Sequence, residues 1–247
     1  MKCFGLTDKG RVRKDNQDSF IIEKCEAKNC LIVGLCDGMG GAKAGGLASQ
    51  LSNKAFVDFV YGKLTSRVER VQNYKDMLQS ACDEANGVSY EYSKFDEAYN
   101  GMGTTIVGGV IKNSGKAHII NVGDSRAYLL RSGGITRITH DHSVVQTLVE
   151  NGNITAEEAR THPNRNLITR ALGTEEITQC DAFEVSLAQG DKLLLCTDGL
   201  VVTATDEDIC RAVCAEESTE KNLDELIALA KAQGAPDNVT AILLMND

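Results

Sequence analysis

The chain has 247 residues, enough for one large domain or two small ones. Its formal net charge of -9 argues against a nucleic-acid or anionic-membrane surface, which needs clustered Lys and Arg, but leaves anionic substrates open, because bound cations reverse a local field. No apolar run reaches the roughly 18 residues of a membrane span, and the nine cysteines, an odd number without CxxC spacing, point to free thiols in a reducing cytosol.

Residues 1–8 hold no apolar signal-peptide region. Arg13-Lys14-Asp15-Asn16-Gln17-Asp18 comes next, just ahead of a predicted strand at 19–23. A second strand, 31–36, ends in Cys36 and is followed by Asp37-Gly38-Met39-Gly40-Gly41. The spacing then predicts a helix over about 44–61, with Leu47, Leu51, Ala55 and Phe59 on its apolar face. Another follows over about 74–93, carried by Met77, Ala81, Ala85, Val88 and Tyr92.

Strands are predicted at 104–111, 117–122 and 127–130, and Gly133-Gly134 suits a hairpin turn. Thr155-x-x-Glu158 and Thr205-x-x-Asp208 read as capping boxes that start short helices. A strand at 192–196 ends in Thr197-Asp198-Gly199. A helix over about 223–233 has Leu226, Ile227 and Ala230 as its stripe and Gly234 just beyond it. Pro236-Asp237-Asn238 opens the last strand, 239–245. Strands grouped as hairpins between long amphipathic helices, without regular βαβ alternation or a linker, predict one α+β layered domain over 1–247.

Asp37, Asp124, Asp198 and Asp237 each stand at or beside the end of an apolar strand. One Asp-Gly is an ordinary turn. Four such carboxylates converging at one edge repel one another unless a cation neutralises them, and Mg²⁺ or Mn²⁺ is the natural partner for oxygen ligands. Gly38 has no Cβ, so its carbonyl can approach an ion closely. Arg13 suits a bidentate grip on phosphate oxygens, and Asp18 suits a role behind the ligands. His140-Asp141-His142 lacks a third zinc ligand, so Asp141 is read as support for the carboxylate cluster. A cysteine-nucleophile phosphatase loop, an Asp-x-Asp-x-Thr strand end and a Gly-x-x-x-x-Gly-Lys-Ser/Thr loop are all missing from the sequence.

The ordered set Arg13…Asn16-Gln17-Asp18, Asp37-Gly38-Met39-Gly40-Gly41, Gly103-Thr104-Thr105, Val122-Gly123-Asp124-Ser125-Arg126, Thr197-Asp198-Gly199-Leu200 and Asp237-Asn238-Val239-Thr240 closely resembles the metal-dependent PPM, or type 2C, serine/threonine protein phosphatases in their bacterial form. The resemblance spans essentially the whole chain. It implies a four-layer α-β-β-α sandwich, two antiparallel sheets flanked by helix pairs, with a flap subdomain at about 143–171.

It also implies roles. Asp37 bridges two of two to three Mn²⁺ or Mg²⁺ ions, with Gly38, Asp198 and Asp237 completing the set and Asp124 serving a third ion. Gln17 and Asp18 hold water, Asn166 is a further contact, and Arg13 takes the substrate phosphate. The expected reaction is hydrolysis of phosphoserine and phosphothreonine in proteins by a hydroxide bridging the ions. The expected partners are phosphorylated proteins, a serine/threonine kinase among them, in the cytoplasm, with no nucleic acid or membrane.

Many eukaryotic members carry His where Met39 stands, leaving water, His140 or His142 as candidate general acids. Two alternatives stand beside this reading: a phosphatase dedicated to one regulatory protein, and a catalytically silent phosphoprotein-binding module.

Overall fold

Alternation along the strands divides the apolar side chains between three cores. In β3 (Cys30–Met39), Val33 and Leu35 point one way and Ile32 and Cys36 the other. In β10 (Lys192–Cys196), Leu193 and Leu195 oppose Leu194 and Cys196 in the same manner. The first member of each set meets the other sheet; the second meets helices. The computed structural model that shows this describes residues 1–41, 44–68, 70–215 and 218–247.

One sheet has the order β2 (Asp18–Cys25), β3, β5 (Ile106–Lys112), β6 (Lys116–Val122), β9 (Asp181–Ser186), with the short β4 (Gly103–Thr104) paired to β3. The other runs β1 (Lys2–Asp8), β11 (Val239–Met245), β10, β7 (Arg126–Arg131), β8 (Gly134–Arg137). All pairings are antiparallel. Val33, Leu35, Val107 and Ile119 interlock with Leu193, Leu195, Ile242 and Leu244 between the sheets. Each such fully buried aliphatic side chain contributes about 1.5–3 kcal/mol.

Helices α1 (Ala44–Thr65) and α2 (Tyr74–Ser93) cover the first sheet. Helices α6 (Asp206–Cys214) and α7 (Thr219–Ala232) cover the second. The fold is therefore the expected α-β-β-α sandwich.

Both capping boxes form, at Thr155 on α4 (Ala156–Thr161) and at Thr205 on α6. Gly234 takes a left-handed φ of 104° just after α7. The β7–β8 loop is Ser132-Gly133, with φ of 51° and 77°, so the turn lies one residue ahead of the expected Gly133-Gly134 pair.

Two expectations need correction. The buried face of α1 is Ala48, Ser52, Phe56 and Val60 together with Ser49, Asn53 and Val57; Leu47, Leu51, Ala55 and Phe59 flank it, half-buried. Small polar residues pack that face because they bond to what lies beneath. Ser49 donates to the Gln17 carbonyl at 2.6 Å, Asn53 donates to the Gly34 carbonyl at 3.2 Å, and the Ser52 and Ser89 hydroxyls meet at 2.7 Å. On α2, Met77, Ala81 and Ala85 are buried as expected, whereas Tyr92 is exposed and packs edge-on against Tyr99.

Between β8 and β9 the chain makes an excursion bearing α3 (Val144–Glu150) and α4. Its base is closed where Ser143 bridges Ile168, Val144 N–H donates to the Leu167 carbonyl (2.9 Å) and Thr169 N–H to that of His142 (2.8 Å).

Candidate active site

Because β3 and β6 run parallel to each other in the first sheet, and β10 and β11 antiparallel in the second, four acidic positions reach one end of the sandwich. Asp37 lies near the end of β3, Asp124 just after β6, Asp198 after β10 as the first residue of α5 (Asp198–Val201), and Asp237 just before β11. All four line one cavity of about 420 Å³, with Arg13, Gln17, Gly38 and Asn166 also in its wall.

The local sequence explains this placement. Both Asp-Gly pairs sit where a Cβ on the glycine would collide with backbone: 2.0 Å from the Gly45 carbonyl oxygen for Gly38, and 1.9 Å from that of Asn238 for Gly199. Asp37 is fixed through its backbone. Its N–H donates to the Thr105 hydroxyl (3.0 Å), and its carbonyl accepts from Thr105 N–H (2.9 Å) and the Thr104 hydroxyl (2.8 Å). Asp37 thus lines the cavity with its backbone held on both sides.

Asp18 pairs directly with Asp37 across β2–β3 and is buried behind it. One of its oxygens accepts from the Thr240 hydroxyl (2.6 Å) and the Thr197 hydroxyl (3.0 Å), while Oδ1 is buried without a partner among the described residues, as is Asp198 Oδ1. Asn238 laces the N-terminal loop to β11, accepting from Gln17 N–H (2.9 Å) and donating to the Lys9 and Asp15 carbonyls. The same loop presents Arg13, which donates to Asp237 at 2.7 Å with its side chain still 54% exposed. Gln17 donates its amide to the Gly41 carbonyl (2.5 Å).

The electrostatics are unfavourable for bare carboxylates. Desolvation, then the charges of Asp18, Asp198, Asp124 and Asp237, push the Asp37 carboxyl well above its ordinary range. Desolvation and the Asp198 charge do the same to Asp124, and desolvation with the Asp237 charge raises Asp198. Asp18 is pushed up to about 7, mainly by burial, against the pull of its two threonine donors.

The residues fit hard divalent cations: acidic oxygens from both sheets share one cavity, and one of them, Asp198 Oδ1, is buried without a partner among the described residues. Among the described residues no three His, Cys, Asp or Glu side chains are gathered as tightly as the ligands of one ion. Mg²⁺-like ions keep several waters and need only one or two carboxylates each, so wider spacing suits them.

A neighbouring cavity of about 470 Å³ opens beneath α3 and α4 and shares Asp124 and Asp198 with the first. Asp141 faces this second cavity. Arg126 grips it with a fork, Nη2 at 2.6 Å and Nε at 3.0 Å, and Arg137 approaches at 3.4 Å. Asp141 thus lies beside the carboxylate cluster, in the cavity that shares Asp124 and Asp198, and not in the first cavity's lining.

Neither imidazole of the His140-Asp141-His142 segment lines the first cavity. His140 is exposed near Phe183. His142 is buried, accepts from Gly123 N–H at Nδ1 (3.1 Å) and turns Nε2 toward Arg170 and Asp181. Thr197, Thr240 and Asn238 hold the site together, yet sequence reasoning gave them no role. Their adjacency to Asp198 and Asp237 was the available signal.

Residues 9–243 match the family model described as protein phosphatase 2C. The chain belongs to that family. It is 35% identical over 242 residues to the serine/threonine phosphatase stp of Listeria monocytogenes, covering 98% of this chain and 94% of that protein. It is 37% identical over 241 residues to the serine/threonine protein phosphatase PstP of Mycobacterium tuberculosis, covering 96% of this chain and 43% of that longer protein.

Among solved structures, serine/threonine phosphatase Stp1 from Staphylococcus aureus superposes with a TM-score of 0.91 at 37% identity, over 99% of this chain and 94% of that one. The PstP catalytic domain in complex with two manganese ions superposes with a TM-score of 0.80 at 34% identity, over 98% and 96%. This phosphatase is thus a bacterial-type serine/threonine protein phosphatase, acting on phosphoproteins.

Proposed function

We propose that phosphoserine and phosphothreonine hydrolysis takes place in the 420 Å³ cavity, with Asp37, the Gly38 carbonyl, Asp198 and Asp237 holding two Mn²⁺ or Mg²⁺ ions and Asp124 serving a third. The observation that carries this reading is the convergence of four carboxylates from both sheets on one wall, those of Asp37, Asp124 and Asp198 desolvated and that of Asp237 paired with Arg13. When bound, such cations supply a nucleophile from water at neutral pH and draw charge from the phosphoryl oxygens.

The chain's own groups do the positioning. Arg13, anchored by Asp237 yet open to solvent, binds the non-bridging oxygens of the substrate. Asp18, clamped by Thr197 and Thr240, and Gln17 order water at the cavity wall. With neither histidine in that wall, the departing serine or threonine oxygen takes its proton from water.

The excursion at 143–171 serves as a flap, its Asn166 reaching the cavity rim and its outer surface meeting the substrate protein. The whole chain, 1–247, works as one domain around this site. The physiological partners in this reading include a serine/threonine kinase whose products the enzyme reverses. The cysteine content supports a cytoplasmic setting.

The test is Asp37→Asn assayed on p-nitrophenyl phosphate and on a phosphothreonine peptide with Mn²⁺ present. Turnover should fall by about 10³-fold or more with the circular-dichroism spectrum unchanged. A variant with wild-type turnover would remove Asp37 from the mechanism.

A further inference from the structure

His142 is buried where three segments meet, and its ring lies outside the carboxylate cavity. The first segment is the turn Gly123-Asp124-Ser125 between β6 and β7. Gly123 N–H donates to His142 Nδ1 at 3.1 Å, and His142 N–H donates back to the Gly123 carbonyl at 2.9 Å. Asn121 reinforces this joint, its amide donating to the carbonyls of Gly123 (3.2 Å) and His140 (3.1 Å). The second segment is the end of the α3–α4 excursion, where Thr169 N–H donates to the His142 carbonyl at 2.8 Å. The third is the start of β9, where Asp181 stands opposite Asn121. Asp181 Oδ2 lies 3.2 Å from His142 Nε2, and Arg170, also at the end of the excursion, donates to Asp181 Oδ1 at 3.1 Å.

These partners fix the proton of the ring. Nδ1 accepts from a backbone N–H and so carries no hydrogen; the proton of the neutral imidazole sits on Nε2, which donates it to Asp181. Burial holds the imidazole below its ordinary pKa, which favours that neutral form. A ring turned by 180° would set carbon atoms against Gly123 N–H and Asp181, so one orientation satisfies both edges. One edge supports the turn that carries Asp124. The other supports, through Asp181 and Arg170, the point at which the excursion rejoins the sandwich.

We propose that His142 is a positioning residue that couples the flap to Asp124: its Nδ1 edge sets the turn bearing this carboxylate, and its Nε2 edge sets the flap's base. The effect on ion binding rests on the reading in which Asp124 serves an ion; the coupling itself does not. A partner behind a ligand typically governs how well that ligand is aimed.

The experiment compares His142→Asn and His142→Gln with wild type, each as the full chain. An asparagine amide reaches only as far as Nδ1 and can accept from Gly123 N–H. A glutamine amide extends to the place of Nε2 and can donate to Asp181. Amide hydrogen exchange is read first, on metal-stripped protein. His142→Gln should exchange faster over 121–125 and keep wild-type protection over 167–170, and His142→Asn should do the reverse. In Mn²⁺ titrations, His142→Gln should bind the weakest ion about 10- to 100-fold less tightly, with His142→Asn restoring wild-type affinity. In steady-state kinetics on a phosphothreonine peptide, His142→Gln should act on kcat and His142→Asn on KM. Identical exchange in the two variants, or wild-type exchange over both segments, would overturn the proposal. Faster exchange over 121–125 with wild-type Mn²⁺ binding would uphold the coupling and count against Asp124 as an ion ligand. Should a variant of the buried ring fail to fold, Asp181→Ala, at a partly exposed side chain, decides. It should loosen 167–170, and wild-type protection there would overturn the proposal.

Discussion

Two cavities lie side by side in this phosphatase and surround their aspartates in opposite ways. In the cavity beneath α3 and α4, Asp141 is neutralised by protein: the Arg126 fork and Arg137 surround it. In the adjoining cavity Arg13 pairs with Asp237, while Asp37, Asp124 and Asp198 have no ion-pair partner among the described residues and are pushed toward protonation by burial and mutual repulsion. The first arrangement is complete as folded. The second leaves its charges open for a mobile counter-charge, which is what a site for cations and a phosphate ester requires.

The largest effect that would break this contrast is on stability. Asp141→Asn should destabilise the protein by about 2–4 kcal/mol, because Arg126 is left with a buried charge; the figure is reduced from that of a fully enclosed pair since Arg126 is about a quarter exposed. Thermal unfolding measures it, and an unchanged melting temperature would mean the fork contributes nothing. Asp37→Asn in metal-stripped protein should act in the opposite direction and raise the melting temperature, since it relieves repulsion.

A smaller effect is expected at the rim. Arg13→Ala should lower kcat/KM about 10- to 100-fold, as loss of a charge-assisted phosphate contact does. Steady-state kinetics on a phosphopeptide checks it, and a wild-type value would move the phosphate grip elsewhere.

A further effect concerns pH. Carboxyls with folded pKa values above their unfolded value of 3.8 bind more protons in the native state, so metal-stripped protein should lose stability as pH rises from about 4 to the region of 7 where Asp18 titrates. Urea unfolding across that range measures the slope. Stability that increased with pH would show the carboxylates already neutralised.

The parts legible in the sequence were those governed by long apolar runs and by residue types with one strong use. Interior strands such as β3, β10 and β11 announce themselves because both faces are buried, and the Asp at each end follows directly. Strands β1, β8 and β9 went unpredicted because each lies at a sheet edge with one side half in water, so polar residues interrupt the pattern. The α1 face was misread because Ser49, Ser52 and Asn53 look like surface residues until their partners on β2, β3 and α2 are in place. The Arg126–Asp141 fork and the threonine clamp on Asp18 depend on side chains brought together by the fold, and no local pattern encodes such a meeting.

The most direct measurement is a calorimetric titration of Mn²⁺ into metal-stripped wild-type protein, Asp37→Asn and Asp141→Asn. The account predicts at least two ions bound by wild type and by folded Asp141→Asn, and loss of the tight sites in Asp37→Asn. Equal stoichiometry and affinity in wild type and Asp37→Asn would contradict it.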